Sequence, residues 1–354
     1  MSTNLLDIED LTLHFDTPHG VAEVVNGVNL SLAPGQVHGL VGESGSGKSV
    51  TARTVLGLHP ERNIHRRTGS IRYRGKEILG APEDTLRSEI RGNEISMVFQ
   101  DPMTALSPVM KVGQQLALPM MQHLGISKSD ARKRAVELLD QVGIPRPKER
   151  LDEYPLHFSG GQRQRIMIAI ALSCDPQVLI ADEPTTALDV TVQAQILDLF
   201  DQLRVDRELA ILLVSHDLSL IAERCDRVSV MYAGRIVESG DAREIFVSPS
   251  HHYTAMLEEA RPLLDNPPHT VLRTILGRPP QLYALPKGCS FASRCPAKQD
   301  DCEHVRPELI LRGDRRLACH HPYTAGQHTV SELDAGAIDI PVPELAQHEE
   351  VPHE

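Results

Sequence analysis

The chain has 354 residues and a formal net charge of −12, with 41% apolar and 24% charged residues and no tryptophan. That length allows one large or two ordinary domains, and the composition is that of a globular rather than a disordered or fibrous protein. The acidic balance disfavours a nucleic-acid partner, and no apolar run approaches the ~20 residues of a membrane-spanning helix. Met1 to Asp10 has neither the basic nor the apolar region of a secretory signal, and Met-Ser-Thr does not match the myristoylation pattern.

In chain order, residues 1 to about 35 alternate apolar and polar, which predicts a small antiparallel sheet. Ile71-Arg72-Tyr73 continues that pattern. Residues 37–41 read as a short buried strand and residues 50–58 as a helix. Between them lies Gly42-Glu-Ser44-Gly45-Ser-Gly47-Lys48-Ser49, the phosphate-loop pattern. Strand, glycine-rich turn and helix start together make an anion site, because backbone N–H groups converge and the helix N-terminus adds positive charge. Lys48 is expected to reach the β- and γ-phosphates of a nucleotide, and Ser49 to place its hydroxyl on Mg²⁺.

Ile95-Ser-Met-Val-Phe99 reads as a strand leading to Gln100. Residues of about 101–175 read as helical. Ala131, Ala135, Leu138, Leu139 and Val142 share one helix face, and Ser127 with Asp130 offers a capping start. Phe158-Ser159-Gly160-Gly161-Gln162 precedes a helix-like stretch at 162–173, so its N–H groups suit a γ-phosphate. From 176 to 240 strands alternate with helices, which predicts a parallel sheet. Val178-Leu-Ile-Ala-Asp182-Glu183 is an apolar strand ending in two carboxylates at the sheet edge. Asp182 is expected in the Mg²⁺ shell, and Glu183 one step further on, where it can orient or activate water.

Near residue 262 the character changes. Pro262, Pro267, Pro268, Pro279 and Pro280 crowd a short region, and a domain boundary is placed at about 265. Cys174 and Cys225 read as ordinary buried residues. Cys289, Cys295, Cys302 and Cys319 follow as C-x5-C-x6-C-x16-C. Reduced cysteines clustered in this way point to a metal. They fit a structural zinc, an iron–sulfur cluster or free thiols. The tight Cys pairs usual for zinc are missing, although His304, His320 and His321 could serve as ligands. From Ser331 the tail is acidic without Lys or Arg, and disorder is expected.

Taken together, these motifs resemble the ATPase subunit of an ATP-binding cassette transporter, in order across about the first 260 residues. The resemblance implies an α/β fold: a P-loop NTPase core with a mainly parallel sheet, an antiparallel β subdomain, a helical subdomain at about 101–175 that docks on membrane subunits, and a small Cys-rich C-terminal extension. It assigns Gln100 to the Q-loop and residues 158–162 to the signature motif, although Phe158 stands where leucine is commoner. It assigns Ala187-Leu188-Asp189 to the D-loop and His216 to the switch histidine at the γ-phosphate. Phe15 stands where an aromatic stacks on adenine, with His19 as a competitor. One phosphate loop and one signature make half of each of two ATP sites, so a head-to-tail dimer is implied.

The segment of about 275–322 is similar to the extension of the dipeptide, oligopeptide and nickel importer subfamily, of the D type. It implies a [4Fe–4S] cluster on the four late cysteines, with Zn²⁺ as the alternative. The domains expected are a cassette at 1–265, a Cys-rich domain at 266–330 and a tail at 331–354. The expected partners are a second, homologous ATPase subunit, two permease subunits and an extracytoplasmic substrate-binding protein. The expected location is peripheral, on the cytoplasmic face of the plasma membrane. The expected work is ATP-driven import of peptides, or of nickel or another small solute by the same machinery, with a soluble cassette ATPase and a redox-sensing iron–sulfur ATPase as the rival readings.

Overall fold

The structure, a computed structural model, describes residues 4–185, 190–261 and 274–324. Twelve strands are found among them. The N-terminal sheet holds β1 (Leu6–Thr17), β2 (Gly20–Leu32), β4 (Ile64–Tyr73) and the two-residue β5 (Lys76–Glu77), in the order β2-β1-β4-β5 and all antiparallel. Ile8 pairs with both Leu30 and Ile71, so the expected continuation through residues 71–73 is realised.

The second sheet runs β11-β12-β10-β9-β3-β8-β7-β6. Its parallel centre consists of β3 (Val37–Val41), β6 (Ile95–Val98), β7 (Val178–Asp182), β8 (Ala210–Ser215) and β9 (Arg227–Tyr232). These strands are apolar on both faces, as a covered parallel sheet requires. Alternation along each strand sends neighbouring side chains to opposite sides. Leu179, Ala181, Ile211 and Leu213 join a core with the helical segment, through Leu116, Leu138 and Ile166. Val178, Ile180, Leu212 and Val214 join a second core with Leu6, Leu11 and Leu13 of the antiparallel sheet. The central sheet is thus clamped between the two subdomains.

The helical segment is built as expected, from helices Pro102–Ala105, Val112–His123, Lys128–Gln141, Pro147–Arg150 and Gly160–Ala171. Ser127 caps the third of these by accepting from the Asp130 N–H at 3.2 Å. Two boundaries differ from expectation. The helix after the phosphate loop is Lys48–Val55, shorter than 50–58, because Gly57 takes a left-handed φ of 59° just past its end. The helix at 160 ends at Ala171, so buried Cys174 lies beyond it.

On the other side of the sheet β10 (Arg235–Asp241) pairs antiparallel with β9, and the hairpin of β11 (Ile310–Arg312) and β12 (Arg315–Leu317) adds to β10. The Cys-rich segment is therefore sewn to the edge of the nucleotide-type sheet. The described residues as far as Tyr323 form one compact unit. The boundary expected at 265, Pro262, Pro267 and Pro268, and the tail from 331 lie outside the described residues. Among the described residues no helix is long and apolar enough to cross a membrane.

Candidate functional site

Four loops meet at the carboxyl edge of the parallel strands, where open α/β sheets present ligand sites. The phosphate loop follows β3, Gln100 follows β6, Asp182 is the last residue of β7, and His216 follows β8. Ser44, Gly45, Gly47, Lys48, Ser49, Gln100, Glu183 and His216 line one pocket, with Val24, Val50 and Leu282 at its rim.

The loop needs glycine at two points for different reasons. Gly47 caps the helix at φ 106°, and a Cβ there would stand 2.5 Å from the Val24 carbonyl oxygen. A Cβ on Gly42 would stand 2.1 Å from the Met231 carbonyl oxygen. Lys48 is buried and donates from Nζ to the Gly42 and Glu43 carbonyls at 2.7 and 3.0 Å. Burial pulls its pKa down, while Glu183, Asp182 and Glu43 act to hold it up.

Ser49 Oγ donates to Asp182 Oδ1 at 2.7 Å. Asp182 is fully buried, with Arg53 Nη2 3.5 Å from its other oxygen. Burial raises its pKa, opposed by the Ser49 hydrogen bond and by Arg53. A buried carboxylate with a hydroxyl beside it is a hard-oxygen donor set that fits Mg²⁺, which is bound through few protein ligands beside phosphate. Glu183 leaves the strand with φ 48°, a left-handed conformation uncommon for a side chain other than glycine. That turn carries its carboxylate to Gln100 and His216. Gln100 Nε2 donates to Glu183 Oε2 at 3.0 Å, and His216 Nδ1 lies 3.3 Å from the same oxygen. Such a cluster can hold a water and a terminal phosphate together.

Ser159 caps the helix Gly160–Ala171 and forms a reciprocal pair with Gln162, at 3.3 and 3.2 Å. Ser159, Gly160, Gly161 and Gln162 do not line the phosphate-loop pocket of their own chain. Phe15 sits on β1 opposite Ala22, with its ring edge-on to His59 at 5.3 Å, and His19 faces Tyr283 at 5.5 Å. Neither Phe15 nor His19 lines that pocket. Asp189, Ala187 and Leu188 lie outside the described residues.

Cys289, Cys295, Cys302 and Cys319 line a second, smaller pocket, with His251, His252, His320 and His321 around it. His304 does not line it. None of the four is in a disulfide. The Cys289 N–H donates to the Cys302 carbonyl at 2.8 Å, which closes the first loop of the segment. Burial pushes the Cys289 thiol up, Cys295 up to about 12 and Cys319 up to about 11. Thiolates gathered there need a cation to hold their charge, so the donor set fits a thiophilic metal centre. Among the described residues, the set whose donor atoms lie within 4.8 Å of one another is a mixed one, Asp301, Cys302 and His321.

Sequence reasoning missed a further pair, Glu43 and Arg294. Arg294 Nη1 and Nη2 donate to the two Glu43 oxygens at 2.7 and 2.9 Å across 251 positions. No local pattern announces it. The one sequence hint is that Arg294 lies between two of the clustered cysteines.

Comparison with known proteins gives the family. Residues 25–186 match the family model described as ABC transporter, and residues 237–302 match that described as Oligopeptide/dipeptide transporter, C-terminal region. The chain is 48% identical over 318 residues to the oligopeptide transport ATP-binding protein OppD of Escherichia coli (strain K12), covering 90% of this chain and 93% of the relative. It is 44% identical over 332 residues to the dipeptide transport ATP-binding protein DppD of Bacillus subtilis (strain 168), covering 94% and 98%. The dimeric structure of the ATP-binding cassette MJ0796 in a post-hydrolysis state bound to ADP and Pi superposes with a TM-score of 0.60 at 25% identity. It covers 67% of this chain and 99% of that one.

Proposed function

This chain belongs to the ATP-binding cassette transporters, among the oligopeptide and dipeptide importers, and on that premise we propose that it is the ATP-hydrolysing subunit that powers peptide import through separate permease subunits. The observation that carries the reading is the meeting of Gln100, Glu183 and His216 over the phosphate loop. Three strand ends far apart in the chain deliver one acid, one amide and one imidazole to where a γ-phosphate would lie.

The chemistry asked of such a site is positioning and charge neutralisation. The loop N–H groups and Lys48 bind the β- and γ-phosphates. Ser49 and Asp182, together with Gln100, would hold Mg²⁺, which would supply positive charge against the phosphates. Glu183 orients the attacking water and accepts its proton, and His216 donates to the γ-phosphate. Phe15, with His19 as its competitor, is the candidate to stack on the adenine, outside the pocket that takes the phosphates. The signature residues Ser159, Gly160, Gly161 and Gln162, with Asp189, serve the site of a partner subunit, since in their own chain the signature does not reach the phosphate pocket. The functional unit is then a head-to-tail pair of this chain with a homologous ATPase, docked through residues of about 101–175 on two permeases at the cytoplasmic face of the membrane. An extracytoplasmic binding protein delivers the peptide.

Residues 1–265 form the cassette in this account and 266–330 the Cys-rich extension built onto it, with 331–354 as a tail. Cys289, Cys295, Cys302 and Cys319 hold one [4Fe–4S] cluster, with Zn²⁺ as the rival occupant. The experiment that tests the function is peptide-dependent ATP hydrolysis and uptake by the reconstituted complex.

A further inference from the structure

We propose that Arg294 is a positioning residue for the phosphate loop, and that its pair with Glu43 couples the Cys-rich segment thermodynamically to the nucleotide site.

The guanidinium has five N–H donors in a fixed fork, and here every nitrogen has a partner. Nε donates to the Leu276 carbonyl at 3.0 Å. Nη1 donates to Glu43 Oε2 at 2.7 Å and to Tyr232 Oη at 3.3 Å. Nη2 donates to Glu43 Oε1 at 2.9 Å and to the Ile275 carbonyl at 3.1 Å. The Arg294 side chain is 4% exposed. Two-point pairing of this kind fixes orientation as well as distance.

Glu43 follows Gly42 inside the phosphate loop, and it is held a second time. Its backbone N–H donates to Tyr253 Oη at 2.7 Å. Tyr253, Tyr232 and Phe291 are all buried and pack together, tilted or edge-on, with ring centroids 4.6 to 5.4 Å apart. Phe291 also lines the cysteine pocket. A continuous path of packed groups therefore runs from Cys289 and Cys295 through Phe291 and Arg294 to Glu43. It ends at Lys48, whose Nζ donates to the Glu43 carbonyl at 3.0 Å. The segment touches the site a second time, because the Glu23 N–H donates to the Leu282 carbonyl at 2.8 Å and Leu282 rims the pocket.

The loop must keep one backbone shape to aim its N–H groups at phosphate, so a group that fixes Glu43 fixes part of the anion site. Linkage then works both ways. If order in the Cys-rich segment strengthens nucleotide binding, nucleotide must strengthen order in that segment by the same factor. None of these contacts involves a cysteine sulfur, so the coupling holds whether the cysteines carry metal or remain thiols.

The test uses the full chain with MgATP, calorimetry, and mass-spectrometric labelling of each late cysteine by iodoacetamide. Arg294→Ala should weaken ATP binding by about tenfold. The same substitution in a Glu43→Ala background should add little, because Arg294 acts through Glu43. ATP should slow labelling of Cys289 and Cys295 in the wild type and lose that effect in Arg294→Ala. Labelling is compared with and without ATP in one preparation of known metal content, so a wrong metal assignment leaves the ratio readable. Arg294→Lys keeps the charge without the fork and should fall between; it carries the test if the alanine variant does not fold. Additive effects of the two substitutions, or cysteine labelling indifferent to ATP, would overturn the proposal.

Discussion

Ser49 Oγ and Asp182 Oδ1 lie 2.7 Å apart although 133 positions separate them. One residue lies in the first turn of the helix after the phosphate loop, and the other ends the strand β7. Their contact joins the two segments where the proposed cation site lies. Asp182→Asn keeps the shape and removes the charge. Calorimetry should then show MgATP affinity reduced by about tenfold or more, with binding of ATP in excess chelator little changed. Equal loss in both conditions would place Asp182 outside the cation site.

The Gly47 backbone sits at φ 106° against the Val24 carbonyl. Gly47→Ala should cost roughly 1–2 kcal/mol from the left-handed conformation alone, with more from the contact. Urea unfolding should register that loss, and ATP binding should fall further than stability, because the strained turn is the phosphate cradle. An alanine variant that binds ATP normally would contradict the loop geometry.

His38 is buried in β3, with Nδ1 3.1 Å from the Ser31 carbonyl and Nε2 2.9 Å from Ser229 Oγ, which continues to Ser239. Burial lowers its pKa from 6.5 to about 4. The unfolded chain therefore takes up a proton that the folded chain refuses, and stability falls as pH drops from 6.5 towards 4. The loss is at most roughly 3 kcal/mol. Denaturation midpoints across that window should show the decline, and His38→Asn should make it shallower, leaving the part contributed by buried His251, whose pKa burial lowers from 6.5 to about 3. A flat wild-type profile would mean that the folded protein accepts the proton.

Much of this architecture was legible in the chain. Two-residue alternation predicted the sheet at residues 1 to about 35 and the last three residues of β4, the apolar runs at 37–41 and 178–182 became buried parallel strands, and the capping start at Ser127 formed as expected. Local patterns sufficed there because each element's own periodicity decides which face it buries. The helix end at Val55 was misplaced although Gly57 stood in plain view as a terminator. Within the candidate site, the phosphate loop, Gln100, Asp182, Glu183 and His216 were all found by motif. The Glu43–Arg294 pair was not, because a contact between distant loops depends on how β10 and the C-terminal hairpin join the edge of the sheet, which no local spacing encodes.

The four late cysteines give a compositional test. Anaerobic purification should yield a brown chain with about four iron and four sulfide per protein if they hold the proposed cluster. Replacing Cys295 with Ser should bleach it and loosen residues of the C-terminal segment to proteolysis. One zinc without sulfide would put zinc in its place, and a metal-free, colourless chain would leave four thiols.

The account rests most directly on Glu183, Gln100 and His216 acting on a bound nucleotide to drive transport. The decisive measurement is peptide uptake and ATP hydrolysis by proteoliposomes holding this chain, its homologous ATPase partner and both permeases, supplied with binding protein and peptide. Wild type should hydrolyse ATP faster when peptide is present and accumulate it. Glu183→Gln should bind ATP yet hydrolyse it about tenfold more slowly or worse, with uptake falling in step. Hydrolysis by Glu183→Gln at the wild-type rate, or uptake that proceeds without ATP, would contradict it.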